Sequence, residues 1–393
     1  MTSRDAVLGG NAPIPSGGMV LGGLAGVAQR LQRPDATVRV AALAEALKYG
    51  HKGLALAIAA LNDPYVEVRR EAYRLLVCRR EKQAQTAIAQ CNPYPLFRAG
   101  RAVAGQTIQA LSADGAYAAS RTRQGGSQIW ETATGEAWYR IPPAAGPAGP
   151  GLLAPGGHLW IRAVAVPRRP GPRIEVWDRG EKLWELVGHE GQVGAIALAP
   201  DGQTLATGGY FAEIKLWNLR TGKAIVTLDK ALIGGGHRGA VMALAFDPLG
   251  EYLYSGGYDR TIKQWHLQTR DRPRQPFGKT TAILKLLVSP DRRHLAAIGW
   301  DRLIYVWDIA SGRLQHTLTG HSAPLACLAF NHDGRVLASG GSDRQIGLWY
   351  VHTGQPCQTL TGSDGYIEHL AFTEDGQQLL SAGSDRHLRF WHP

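Results

Sequence analysis

Cysteine is scarce in this chain. Its 393 residues include 4 cysteines, Cys78, Cys91, Cys327 and Cys357, none in a CxxC or metal-ligand spacing. A disulfide framework and a cysteine-based metal site are therefore not expected, and the thiols read as small apolar groups in a reducing compartment. Long apolar runs are absent too: none approaches the roughly 18 residues that span a bilayer. The stretch Met19 to Ala28 is diluted by Gly22, Gly23 and Gly26 and makes a poor secretory segment, so a cytoplasmic location is expected. Phosphate-binding GxxxxGK[ST], HExxH, GxSxG and kinase motifs are missing, and the glycine run at 22–26 follows no strand pattern. No enzymatic activity, cofactor or metal is expected.

Charged residues make up only 19%, while 49 glycines and 22 prolines imply a turn-dense chain. The net charge of +11 is spread out: residues 1–94 carry five of the excess and the remainder six. Such a surplus permits an acidic protein, a nucleic acid or an anionic membrane surface, and selects none of them.

Seven tryptophans recur through the later part of the chain: Trp130, Trp177, Trp217, Trp265, Trp307, Trp349 and Trp391, with intervals of 47, 40, 48, 42, 42 and 42. Each closes a short strand-like run. Asp-Gly turns at 114–115, 201–202, 333–334 and 375–376 mark hairpins, because glycine accepts a positive φ cheaply. Glycine pairs at 208–209, 256–257 and 340–341 end the strands that follow. A period near 42 predicts a mainly β, seven-bladed propeller.

On these residues, positions 95–393 resemble the WD40 repeat family. The resemblance implies a tetrad of His, Ser or Thr, Asp and Trp in each complete blade. Blade four has His237, Ser255, Asp259 and Trp265; blade six has His321, Ser339, Asp343 and Trp349. Blade three has His189, Thr207 and Trp217, with Phe211 at the Asp position. Blade five keeps Asp301 and Trp307, with Lys279 and Ala297 at the other places. Blade seven keeps Ser381, Asp385 and Trp391, with Ser363 for His. Blades one and two are degenerate. The resemblance also implies closure by a strand from before blade one, here residues 96–103. Residues 141–172 hold 8 of the prolines, which predicts a distorted blade two between long loops.

Residues 1–23 read as disordered, and 24–94 as a small α-helical domain. The segments from Leu31 and Leu61 repeat 30 residues apart: Pro34 matches Pro64, Val38 Val68, Arg39 Arg69 and Ala42 Ala72. This resembles HEAT-like repeats, including the short kind in phycobilin lyases. Two copies are few for independent stability, so packing against the propeller is expected. HEAT-like helices before WD40 repeats resemble a protein type common in cyanobacteria, which implies a photosynthetic or signalling complex as a setting for an assembly or regulatory factor.

The propeller's second-to-third-strand turns carry Arg260, Arg302, Arg344 and Arg386, each 42 residues apart, so stacked blades should set them as an arc on one face. Tyr210, Tyr258 and Trp300 stand just before the Asp position, beside a six-residue insertion, Lys230 to Gly235. Arginine and aromatics suit binding of a protein partner, in particular an acidic peptide with an apolar anchor. The same residues also suit neutralisation of the tetrad Asp and packing between blades. Two further basic clusters, Arg162, Arg168, Arg169 and Arg173, and Arg270, Arg272, Arg274 and Lys279, read as solvated loop charge; no nucleic-acid module is visible. The function expected is a non-enzymatic interaction scaffold, the alternative a basic adaptor on nucleic acid or anionic membrane.

Overall fold

The structure, a computed structural model, describes residues 23–393 apart from 78, 80, 91–96, 106, 166–170, 229–234, 270–272, 276, 279, 377 and 393. The expected disordered segment, save its last residue, therefore lies outside the described residues. So do Cys78, Cys91, Arg168, Arg169, Arg270, Arg272, Lys279 and most of the Lys230–Gly235 insertion. The chain divides into two compact units, Met1–Pro95 and Leu96–Pro393.

The first unit holds helices Gly23–Arg30, Ala36–Ala46, Gly50–Ala59, Val66–Val77 and Lys82–Gln90. Its two matching segments start helices by the same chemistry. The Asp35 carboxylate accepts the Thr37 N–H (2.8 Å), satisfying a donor that the first helical turn leaves free, and the Asp63 carboxylate accepts the Tyr65 N–H (3.0 Å) just ahead of helix Val66–Val77. Arg39 ties the segments together, 2.6 Å from Asp63 and lying over the Tyr65 ring. Val27, Ala42 and Ala46 form a small shared core.

The second unit is a seven-bladed β-propeller. Each blade is an antiparallel meander, and the blades pack face to face. Ala206, Ile214, Leu216 and Leu228 of blade three, for example, pack on Val241, Leu244, Leu253 and Trp265 of blade four. The glycine pairs make this approach possible. A Cβ on Gly208, Gly256 or Gly340 would lie 2.6 Å from a Cγ of Val241, Ile283 or Ile367 in the following blade, closer than carbon atoms pack. The innermost strands surround a channel that includes a cavity of about 830 Å³.

The ring closes between strands distant in sequence. Strand Arg98–Ala104 pairs antiparallel with His387–His392 as the outer strand of blade seven. Leu96, the expected start of that strand, lies outside the described residues. Ile108 and Trp130 of blade one pack against Leu380, Leu388 and Phe390 of blade seven, so the core is continuous across the seam.

One expectation needs correction. Blade two is a complete four-stranded sheet, Ala148–Leu153, Leu159–Val164, Arg173–Asp178 and Glu181–Val187. Its prolines fall where no ladder N–H is needed: Pro150 sits in a bulge, and Pro142, Pro143, Pro147 and Pro155 lie outside the strands. The irregular blade is the fourth. Among the described residues it has three strands, and the place of its outer strand is taken by one bridge, Gln264 to Arg274. Pro273, beside Arg274, has no N–H to extend that pairing.

Candidate protein-binding face

In a four-stranded meander, the second-to-third-strand turn and the loop leading into the next blade emerge at the same end. In this ring the two sets of connections interlock through the tetrads. In blade four the Trp265 indole N–H donates to Ser255 Oγ (2.7 Å), Ser255 Oγ lies 2.7 Å from His237 Nε2, and His237 Nδ1 lies 2.9 Å from Asp259. A carboxylate can only accept, which assigns the proton to Nδ1 and leaves Nε2 to accept from the serine hydroxyl. Blade six repeats this with Trp349, Ser339, His321 and Asp343 at 2.8, 2.7 and 2.7 Å.

The other tetrads are completed by residues that spacing does not reveal. In blade three the acid is Glu213, 2.6 Å from His189 Nδ1, two places beyond Phe211; Thr207 bridges His189 and Trp217. In blade five the Tyr305 hydroxyl donates to Asp301 (2.6 Å), in the role the imidazole has elsewhere. In blade seven Asp385 accepts from Ser363 (3.2 Å) and Arg389 (2.5 Å), while Trp391 donates to Ser381. Blade two replaces the set with an ion cluster: buried Arg162 lies 2.7 Å from Glu175, which also takes Lys182 (3.1 Å) and the Trp177 N–H (3.3 Å). Arg162 is thus no part of a solvated basic patch, and Arg173 is paired with Glu185. Glu175, Tyr305 and Arg389 all stand two residues before the blade tryptophan, facing the second strand. A charged or hydroxylated residue there, in a blade lacking histidine, is the signal that could have found them.

Each aspartate of blades four, six and seven works at both ends of its carboxylate. One oxygen of Asp259 accepts the Thr261 N–H (3.1 Å) and closes the turn; the other accepts the Arg238 N–H (3.0 Å) from the lead-in loop. Asp343 does the same with Gln345 and Ser322, and Asp385 with His387 and Asp364. Burial opposes ionisation of Asp259, but the hydrogen bonds from His237, Arg238 and Thr261 outweigh it and hold the carboxyl well below its usual range.

These turns place the residue after the aspartate in the left-handed region: φ is 60° at Arg260, 63° at Arg302, 63° at Arg344 and 61° at Arg386. Glycine or asparagine would sit there more cheaply, and an L side chain costs about 1 kcal/mol or more. All four arginines are exposed. Arg302 donates to the Ser322 carbonyl of the neighbouring lead-in loop (3.2 Å). Arg260, Arg344 and Arg386 have no ion pair among the described residues.

The aromatics share this end of the ring. Tyr210, Tyr258 and Trp300 are 41, 44 and 59% exposed, so they are not packed between blades. Two more that the sequence did not single out join them: Phe211 at 68% and Tyr366, in the lead-in loop of blade seven, at 55%. Phe211 is left free because Glu213 has taken the acid role. Five of the thirteen exposed large apolar side chains among the described residues therefore lie on this one rim, a concentration that scattered surface residues do not show. No described cluster of His, Cys, Asp and Glu could hold a metal ion, and no described helix is long and apolar enough to cross a membrane.

Residues 180–218, 228–266, 272–308, 312–350 and 354–392 match the WD40 family, described as WD domain, G-beta repeat. The chain carries WD40 repeats on a seven-bladed propeller. The matches run from the outer strand of blade two through blade seven and leave out blade one and the three inner strands of blade two, the two blades where the tetrads are missing. A stretch of 90 residues is 37% identical to the small ribosomal subunit protein RACK1y of Oryza sativa subsp. japonica, covering 20% of this chain and 27% of that protein. A stretch of 86 residues is 31% identical to the small ribosomal subunit protein RACK1 of Neurospora crassa, covering 19% and 27%. The similarity thus spans about a quarter of either relative.

Proposed function

We propose that the protein is a non-enzymatic interaction scaffold whose propeller rim binds a protein partner through an acidic segment with an apolar anchor. The observation that carries this reading is the placement of Arg260, Arg302, Arg344 and Arg386 at equivalent left-handed positions beside exposed aromatics. Backbone preference works against arginine at those positions, so their presence calls for a use of the side chain. Arginines and aromatics are mixed along the rim: Arg260 and Arg302 stand with Tyr210, Phe211, Tyr258 and Trp300 on blades three to five, and Tyr366 stands with Arg344 and Arg386 on blades six and seven. An apolar anchor and carboxylates would therefore be met side by side. The relatives are named as components of an assembly, and a role within an assembly is all we carry from them to this chain. The HEAT-like helices offer a second surface in the same scheme, and a cytoplasmic, cyanobacterial-type assembly factor is the setting it fits.

The test is a fluorescent peptide array of acidic sequences with and without a single aromatic anchor, read against the folded protein. Arg260→Glu with Arg344→Glu should abolish binding while the melting curve is kept. Retained affinity in that folded double mutant would end the rim reading. Binding to nucleic acid or anionic vesicles with a steep salt dependence, unaffected by Trp300→Ala, would favour the basic-adaptor alternative.

A further inference from the structure

The innermost strand of every blade carries a β-bulge near its start: at Gln109, Gly149–Pro150, Gly194, Met242, Leu284, Ala326 and Glu368 in blades one to seven. A bulged residue is left out of the ladder, so its identity is free to shape the channel. Five of the seven bulges bring no polar side chain. Gln109 and Glu368, on neighbouring blades, do. Next to them blade two contributes Gly149 and Gly151 to the lining of a recess of about 320 Å³. Trp160 and Arg162 line its blade-two side; Thr107, Gln109 and Arg121 line it from blade one, Glu368 and His369 from blade seven.

The charges of this recess are unequally committed. The Arg162 charge is paired with Glu175 (2.7 Å), and its guanidinium also donates to the Pro142 carbonyl (2.9 Å). Arg121 and Glu368 are exposed within the channel, and neither side chain has a hydrogen bond or ion pair among the described residues. His369 adds an uncharged ring: burial in the wall, helped by the nearby Lys285 ammonium, pushes it down to about 4. One free guanidinium, one free carboxylate and neutral polar groups thus face a single small space.

We propose that this recess binds an amino-acid-sized zwitterion, its carboxylate toward Arg121 and its ammonium toward Glu368. A simple anion would meet Glu368 as a like charge, and a simple cation would meet Arg121. Only a molecule with both charges answers both side chains with charge-assisted hydrogen bonds. The volume is near the lower limit of small-molecule pockets, about 300 Å³, a size that suits an amino acid. This inference does not rest on the rim arginines or on their partner.

The experiment titrates the full chain calorimetrically with each proteinogenic L-amino acid at millimolar concentration, with acetate and methylammonium as single-charge controls. At least one amino acid should bind, and Arg121→Gln and Glu368→Gln should each weaken it by about tenfold or more, the loss expected for a charged hydrogen bond. Neither side chain has a protein partner among the described residues, so both variants should melt with the parent. Difference density in soaked crystals gives a readout that needs no variant. Absence of binding by every amino acid, equal binding of acetate or methylammonium, unchanged affinity in both variants, or density outside the recess would each overturn the proposal.

Discussion

The side-chain amide of Gln358 grips both backbone polar groups of Phe97: the Phe97 N–H donates to Oε1 and the Phe97 carbonyl accepts from Nε2, each at 2.9 Å. Gln358 lies in the outer strand of blade six, Pro356–Leu360, and Phe97 just before the strand that closes blade seven. The clip therefore fastens the seam from the neighbouring blade, while the Phe97 ring packs edge-on against Phe372. Gln358→Ala should lower stability by about 1–3 kcal/mol, because it strips two partly buried backbone groups of their partner. Urea unfolding checks this; a change within error would show that water replaces the amide at no cost.

Glu213 and Phe211 offer a test of how blade three is held. Removing the carboxylate by Glu213→Ala leaves the buried His189 Nδ1 without its acceptor and should cost about 2 kcal/mol. Adding Phe211→Asp restores an acid at the position used by Asp259 and Asp343, and should recover part of the loss. A double variant no more stable than Glu213→Ala would mean that this turn cannot present its carboxylate as the other blades do.

The left-handed arginines predict an uncoupling of stability from binding. Arg260→Gly with Arg344→Gly relieves the backbone penalty but loosens the unfolded chain, so the two effects nearly offset and stability should stay within about 1 kcal/mol. Partner affinity should nevertheless fall. Calorimetric melts and peptide binding on the same samples separate the outcomes. A marked destabilisation would show that the arginine side chains hold the turns together.

Acid should unfold the propeller through its buried carboxylates. For Asp259 burial raises the pKa, and the hydrogen bonds from His237, Arg238 and Thr261 overcome it. In Asp385 burial is overcome by Arg389, and in Glu213 by His189. Folded values below the unfolded one mean stability that is complete above the unfolded carboxylate pKa, near 4, and is lost as pH falls through the folded values. Denaturation midpoints should therefore drop steeply below about pH 4, and Asp259→Asn should flatten that drop. An equally steep acid limb in the variant would remove Asp259 from the explanation.

The ring was legible in the sequence because Trp130 to Trp391 fill one structural slot seven times, and a slot repeated in space is repeated in spacing. The tetrads of blades four and six were legible for the same reason. Glu213, Tyr305, Arg389 and the Arg162–Glu175 pair were not, since each satisfies a local polar demand from a different backbone position. Spacing finds residues that keep their place, not residues that take over a role. Proline counting likewise singled out blade two, yet Pro150 is absorbed by a bulge, while Pro273 stands in blade four where an outer strand would run. What matters is the position of a proline in the ladder, not how many there are.

The pairing of Arg98–Ala104 with His387–His392 has a consequence for the order of events in making the protein. The strand that seals the circle is synthesised before any blade exists, and its mate arrives after the other strands of all seven blades. Blades can form one by one, but the bond between first and last must wait, and until then both raw edges stay open to wrong partners. A nascent chain halted before His387 should hold the meanders of blades one to six and still not be a wheel.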